Sequence, residues 1–266
     1  MHERERHRII LSLVQERPVA TIQDLMELTE ASEATIRRDI AALHVQGRLR
    51  RVRGGAVATP RDEGAFETRL RSHAHTKRAI AVAAAQRVSD GDVIAIDSST
   101  TTYYLAEELL SRSGLMVVTN SMPAATLLME RSDATVVLPG GVLRRASHSI
   151  VGAFSDVLEG RGRIKTGFFG VASVSRTLGM LELSTEECEA KKALARACDS
   201  VVGVFTSSKT QGFGLHPFVE ANRITALYTD DSVEPSFVSA WDGSGVEIVT
   251  VPVSLSAQTP NESRTA

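Results

Sequence analysis

Cysteine, lysine, aromatic residues and long apolar runs are all scarce in this chain, and each scarcity excludes something. The two cysteines, Cys188 and Cys198, stand ten apart with no CxxC and no neighbouring histidine, a spacing that builds neither a metal centre nor a disulfide framework. None of the 7 histidines falls in an HExxH or paired-ligand spacing, and no GxSxG, GxGxxG or GxxxxGK stretch occurs. No catalytic residue, metal or cofactor is therefore expected. Glu182, Glu186 and Glu187 have the chemistry of general bases, but nothing in the sequence pairs them. No apolar run reaches the ~18 residues that cross a membrane. The opening MHERERHRII is charged where a secretory signal needs an apolar stretch, so a soluble, cytoplasmic protein is expected. Aromatic residues make up 5% against 42% hydrophobic residues, which leaves a core of Val, Leu, Ile and Ala suited to α/β layers.

What is present is arginine, and its placement is uneven. With 30 basic and 32 acidic residues the net charge is -2, which excludes a chain that coats nucleic acid along its whole length. Residues 1–58, however, carry 10 arginines and 8 acids, and Lys77 is the first lysine. From Arg37 to Arg53 six arginines face the single acid Asp39, a local field of the kind that governs binding. Arginine suits phosphate and base-edge contacts.

Residues 1–57 read as three helices and a basic hairpin. Ile10, Leu13 and Val14 repeat at helical spacing until Pro18. Thr21 can cap a second helix with Ile22, Leu25 and Met26 on its apolar face. Ser32 opens a third, SEATIRRDIAALHVQG, which Gly47 ends. On it Ile36, Ile40 and Leu43 fall within about 60° of one another. Arg38 points away from them, with Thr35 and Arg37 at its edges. GRLRRVRGGA follows, with Gly54-Gly55 permitting a tight turn. This is the pattern of a winged helix-turn-helix DNA-binding domain; the alternative is a helical dimerisation module with solvated arginines.

Residues 58–75 read as a polar linker whose large apolar residues are Phe66 and Leu70, with His73 and His75 exposed. Residues 76–253 then alternate helix-like and strand-like stretches, a helix from Lys77 to Val88 and then DVIAID, TTYYLAEELL, LMVVTN and onward. This is the βαβ pattern of a mostly parallel sheet. Residues 254–266 are expected to be a disordered tail. In such sheets ligands gather beyond the C-terminal strand ends. Three of those ends are polar: Asp97-Ser98-Ser99-Thr100-Thr101, Thr119-Asn120-Ser121, and Gly140-Gly141 with Arg144 shortly after. Hydroxyls and backbone NH groups at a helix start form an anion site, or simply an ordinary cap. Lys191 and Lys209 offer counter-charge for a phosphate.

Together these residues resemble the DeoR family of bacterial transcriptional regulators. Ser32, Thr35, Ile36, Arg37, Arg38, Asp39, Leu43, Gly47, Arg51, Gly54, Gly55 and Ala56 match its DNA-binding signature. The resemblance runs on through Phe66, Lys77, Asp97, Asn120, Gly140-Gly141, Lys191 and Ser208-Lys209 to about residue 230. Ser99 stands where the family usually has glycine. The resemblance implies an α/β domain similar to ribose-5-phosphate isomerase and glucosamine-6-phosphate deaminase, used to sense a phosphorylated sugar. The expected protein is a repressor of a carbohydrate-utilisation operon that binds operator DNA as a homodimer or homotetramer. DNA contact is expected from Ser32, Thr35, Arg37, Arg38, Arg50, Arg51, Arg53, Gly54 and Gly55. Effector contact is expected from Asp97, Ser98, Ser99, Thr100, Thr101, Thr119, Asn120, Ser121, Gly140, Gly141, Arg144, Lys191 and Lys209. The competing readings are a sugar-phosphate isomerase or deaminase with a DNA-binding head, and an activator on the same fold.

Overall fold

The computed structural model describes residues 2–16, 19–45, 49–52, 54–58, 64–152, 163–212 and 214–253. The chain divides into two compact units, Met1–Arg61 and Asp62–Ala266.

The first unit contains α1 (Glu3–Glu16), β1 (Ala20–Thr21), α2 (Ile22–Thr29), α3 (Glu33–Val45), β2 (Leu49–Val52) and β3 (Gly55–Ala58). Thr21 caps α2 in a capping box: its hydroxyl accepts from Asp24 N at 3.1 Å and Asp24 accepts from Thr21 N at 3.1 Å. Ile36, Ile40 and Leu43 are buried against Ile10, Leu13, Val14 and Leu25, while Arg37 and Arg38 lie exposed. The periodicity of α3 thus placed its faces. The three strands form an antiparallel sheet in the order β1-β3-β2. A side chain at Gly55 would sit 2.1 Å from the carbonyl oxygen of Ala20, so only glycine lets β3 lie beside β1, and Gly54 turns the wing at φ +88°. Pro18 and Gly47, the expected helix stops, lie outside the described residues.

The second unit opens with α4 (Phe66–Arg71) and α5 (Ala74–Ala85). Part of the segment expected to be a linker is therefore helical. Phe66 is buried and meets Tyr103 edge to face at 5.8 Å. Two apolar residues four apart were too little for periodicity to register, and tertiary packing of one aromatic ring supplies the missing stability. His73 and His75 are exposed, as expected. Residues 59–63, the remainder of that segment, and the tail 254–266 lie outside the described residues.

A parallel sheet follows, built from β4 (Val93–Ile96), β5 (Met116–Thr119), β6 (Thr135–Val137), β9 (Ile164–Phe169), β12 (Cys198–Val204), β14 (Ala226–Asp230) and β15 (Glu247–Val251). Helices α6 (Thr100–Glu108) and α7 (Met122–Arg131) join α5 on one face, and α8 (Thr185–Arg196) covers the other. Strand alternation sends Ile94 and Ile96 into the first layer and Ala95 into the second. This is the Rossmann-like α/β layering that composition predicted. Sequence reasoning did not foresee the antiparallel hairpin β7 (Val142–Arg144) with β8 (Ser149–Val151). Nor did it foresee the small antiparallel sheet of β10 (Ser173–Ser175), β11 (Gly179–Glu182) and β13 (His216–Val219).

Candidate functional site

The sheet order is β15-β14-β12-β9-β4-β5-β6. β4 comes first in the chain, β5 and β6 extend the sheet on one side, and β9 to β15 extend it on the other. The order reverses between β4 and β9, and ligands of open parallel sheets bind in the crevice beyond the strand ends at such a reversal. Here the crevice is bounded by the loop from Asp97 to Ser99 and by Gly170, which follows β9.

Asp97 organises that loop. Its Oδ1 accepts from Ser99 N at 3.0 Å and from the Thr102 hydroxyl at 2.8 Å, and its Oδ2 accepts from Gly170 N at 2.9 Å. Lys191 Nζ lies 2.9 Å from Asp97 Oδ2 and donates to the Gly170 carbonyl at 3.0 Å and to Glu182 Oε2. All three charged groups are buried. Both Asp97 oxygens are committed inside the protein, so the carboxylate shapes the loop, and sugar hydroxyls find no open face on it. Ser99 caps α6, accepting from Thr102 N at 3.2 Å, and the backbone NH groups at a helix start have no acceptor within the helix.

A cavity of about 250 Å³ opens at this point. Ser99, Thr100, Thr101, Lys191 and Lys209, five of the residues anticipated from sequence, line it. It also takes in Thr206 and Ser208 beyond β12, and Arg69, Ser72, His73 and Lys77 from α4, α5 and the turn between them. Those four come from a segment that precedes the sheet, where strand-end reasoning had no signal, although the family resemblance and the scarcity of lysine both marked Lys77. No carboxylate lines the cavity among the described residues.

The other anticipated rim residues serve the backbone. Thr119 accepts from Ser121 N at 3.0 Å, and Ser121 caps α7 by accepting from Ala124 N at 3.3 Å. Asn120 is buried and holds β8: its side-chain nitrogen donates to the Ile150 carbonyl at 3.1 Å, and its backbone oxygen accepts from Ile150 N at 2.8 Å. A side chain at Gly141 would meet the Val151 carbonyl oxygen at 2.3 Å, so this glycine closes the hairpin, and Gly140 precedes it on the exposed surface. Ser98 and Arg144 both reach Glu187, at 3.1 and 3.2 Å. The glutamates without a partner in sequence thus have partners in space: Glu182 pairs with Lys191, and Glu187 with Ser98 and Arg144.

On the first unit, Ser32 and Thr35 share a hydroxyl contact at 2.9 Å at the start of α3. Arg37 pairs with Glu33 at 2.6 Å on the helix surface. Asp39 is buried and bound by Arg6 at 2.7 Å. The single acid of the arginine-rich stretch is thereby withdrawn from the surface, which leaves Arg37 and Arg38 exposed on α3 and Arg51 exposed on β2. Arg50 also lies on β2, opposite Val57. Arg53 lies outside the described residues.

A winged helix-turn-helix unit with an arginine face, followed in the chain by a parallel α/β unit with a cation-lined cavity at its switch point, has the organisation of a ligand-sensing transcriptional regulator. Residues 6–61 match the DeoR-like helix-turn-helix domain and residues 72–231 match the DeoR C terminal sensor domain. The chain belongs to the DeoR family of transcriptional regulators. It is 30% identical to the glycerol-3-phosphate regulon repressor of Escherichia coli strain K12, over 86% of this chain and 92% of that one. It is 27% identical to the putative aga operon transcriptional repressor of E. coli O157:H7, over 93% of each. The lactose phosphotransferase system repressor of Streptococcus mutans serotype c is 30% identical, over 86% of this chain and 93% of that one. Among solved structures, ribose 5-phosphate isomerase A of Methanocaldococcus jannaschii is 18% identical with a TM-score of 0.40, over 52% of this chain and 55% of that one. A domain of a possible sugar-binding transcriptional regulator from Arthrobacter aurescens TC1 is 15% identical with a TM-score of 0.39, over 60% and 85%. Among the described residues no helix is long and apolar enough to cross a membrane.

Proposed function

We propose that this chain represses a carbohydrate-utilisation operon from the cytoplasm, binding its operator as a homodimer or homotetramer and releasing it when a phosphorylated sugar occupies the cavity at the start of α6. The observation that carries this reading is the charge of the cavity. Arg69, Lys77, Lys191 and Lys209 line it, and no carboxylate does among the described residues. A cationic lining at a helix start is the chemistry that holds a phosphate monoester, whose charge is about -1.5 to -2. The phosphate would rest on Ser99, Thr100, Thr101 and Lys209. An isomerase or deaminase needs a carboxylate facing its substrate, and the cavity offers none among the described residues. Sensing without turnover is the function this supports.

On the DNA side, α3 enters the major groove with Ser32, Thr35, Arg37 and Arg38 toward the bases, while Arg50, Arg51 and Arg53 around Gly54-Gly55 grip the backbone. One such module buries too little surface for operator selectivity, which is why two or more copies are required. The test uses operator duplex selected from random DNA and a panel of sugar phosphates. Arg38→Ala should weaken operator binding at least tenfold, about 1.4 kcal/mol, and leave the thermal shift given by the active sugar phosphate unchanged. Lys209→Ala should keep operator affinity and raise the effector concentration needed for release. Unchanged gel shifts for Arg38→Ala, unchanged induction for Lys209→Ala, or conversion of any sugar phosphate on the panel would overturn the corresponding part.

A further inference from the structure

Glu187 lies in the first turn of α8, and its buried carboxylate is held by groups from distant parts of the chain. Its Oε2 accepts from the Ser98 hydroxyl at 3.1 Å; its Oε1 accepts from Arg144 at 3.2 Å, from Ser147 at 2.8 Å and from Ser149. A glutamate in the first helical turn is favoured by the helix dipole, but that role requires none of these four donors. Ser98 adjoins Ser99 at the cavity, whereas Arg144, Ser147 and Ser149 belong to the β7–β8 hairpin. Val142 and Leu143 on its outer strand are 69% and 57% exposed, and an isolated hairpin is marginal by itself. Its setting therefore depends on Glu187 and on the Asn120 contacts beside it.

The far side of the same hairpin grips α4. Phe66 N donates to the Ala146 carbonyl at 3.0 Å, the Phe66 ring stacks on His148 at 5.8 Å, and Glu67 lies 3.5 Å from His148. Helix α4 is the first described helix after the DNA-binding unit in the chain, and it contributes Arg69 to the cavity wall. A continuous polar route thus runs from the cavity loop through Ser98 and Glu187 to the hairpin and on to α4. We propose that Glu187 is the positioning residue that ties the cavity loop to the β7–β8 hairpin and α4, so that occupancy of the cavity resets the segment leading to the DNA-binding unit. This rests on the reading of the cavity as the effector site. Contiguity by itself does not establish coupling; a response in a segment that does not line the cavity does.

The hairpin is such a segment, and hydrogen–deuterium exchange on the full chain reads it directly. With ribose 5-phosphate or inorganic phosphate at saturation, amides of residues 142–151 in the wild type should slow at least threefold. Ser98 does not line the cavity and gives its hydroxyl to Glu187, so in Ser98→Ala calorimetric affinity for the same probe should stay within threefold while the hairpin response disappears. A purely structural role for Glu187 would not separate affinity from response in this way. A wild-type hairpin indifferent to bound probe, or a Ser98→Ala hairpin that responds like wild type, overturns the proposal. If neither probe binds, the effector reading of the cavity fails, and the ligand-free arm still decides the linkage. In Glu187→Gln, exchange at 142–151 and 64–72 should rise together by about tenfold, as for loss of a charge-assisted hydrogen bond. A rise in the hairpin with α4 unchanged overturns the link. Should Glu187→Gln fail to fold, ligand-free Ser98→Ala supplies the same comparison.

Discussion

Gly170→Ala should damage the loop that begins α6, and Ser99→Gly should repair the damage. A methyl group on Gly170 would lie 2.3 Å from Ser99 Cβ and 2.4 Å from its Oγ, far inside the roughly 3.5–4.0 Å of ordinary carbon contact. Neither side can retreat. Ser99 is fixed as the cap of α6 and by Asp97 at 3.0 Å, while Gly170 is fixed by Asp97 at 2.9 Å and by Lys191 at 3.0 Å. Overpacking of this kind costs about 1–3 kcal/mol, which for a domain of this size lowers the midpoint of unfolding by roughly 2–4 °C per kcal/mol. Ser99→Gly alone loses a cap hydroxyl, a loss of a few tenths of a kcal/mol when glycine replaces it. The double variant should then sit beside Ser99→Gly, with a coupling energy above about 1 kcal/mol in the double-mutant cycle. The assay is urea unfolding followed by fluorescence. The single tryptophan of the chain, Trp241, is buried in the α/β unit, so its signal reports that unit even in the full chain. Gly170→Ala within about 0.5 kcal/mol of wild type, or a double variant as weak as Gly170→Ala, would show that the contact does not govern the loop.

The wing offers a parallel test. Gly55→Ala places a methyl 2.1 Å from the Ala20 carbonyl oxygen, so β3 must leave β1. Operator affinity should fall at least tenfold, about 1.4 kcal/mol, while Trp241 unfolding stays unchanged; wild-type affinity would refute the packing. The cysteines should be inert. Burial raises the Cys188 thiol, and Cys198 is pushed up to about 12, chiefly by burial. A thiol so raised stays protonated at pH 8, so neither should react with a disulfide reagent in the native protein and both should react in denaturant. Rapid native labelling of Cys198 would contradict its placement.

How far the sequence could be read depends on how local each cause is. The faces of α3 were legible because Ile36, Ile40 and Leu43 repeat within one helix, and the basic face because arginines crowd a short stretch. Helix α4 was not, since its stability comes from Phe66 meeting Tyr103 and His148, contacts that no window along the chain contains. The polar rim was half legible. Sequence placed Thr119, Asn120 and Ser121 at a strand end, but it could not say that the turn and hairpin would take the Thr119 and Ser121 hydroxyls and the Asn120 side-chain nitrogen. Glu187 stood as one of three acids that nothing in the sequence pairs, because its partners lie 38 to 89 residues away in the chain. The substitution of Ser99 for the family's glycine was visible in sequence; what admits it, Gly170 across the crevice, was not.

The charge layout also locates where selectivity between states must arise. Lys191 is held between Asp97 and Glu182, so its charge already serves two carboxylates of the protein. Arg69, Lys77 and Lys209 also line the cavity, the first two from α4 and α5, and Lys77 donates to the Arg69 carbonyl across the turn between those helices. A ligand shifts an equilibrium only by binding its two states unequally. Contacts to the loop at Ser99–Thr101 bear on α4 only at a distance, through Ser98, Glu187 and the hairpin. Contacts to Arg69 change with the setting of α4, and these make binding depend on the segment that runs to the DNA-binding unit. Arg69→Ala should therefore narrow the ratio of operator affinities with and without effector by more than it weakens effector binding in the DNA-free chain, whereas equal losses in the two would place Arg69 with the passive contacts.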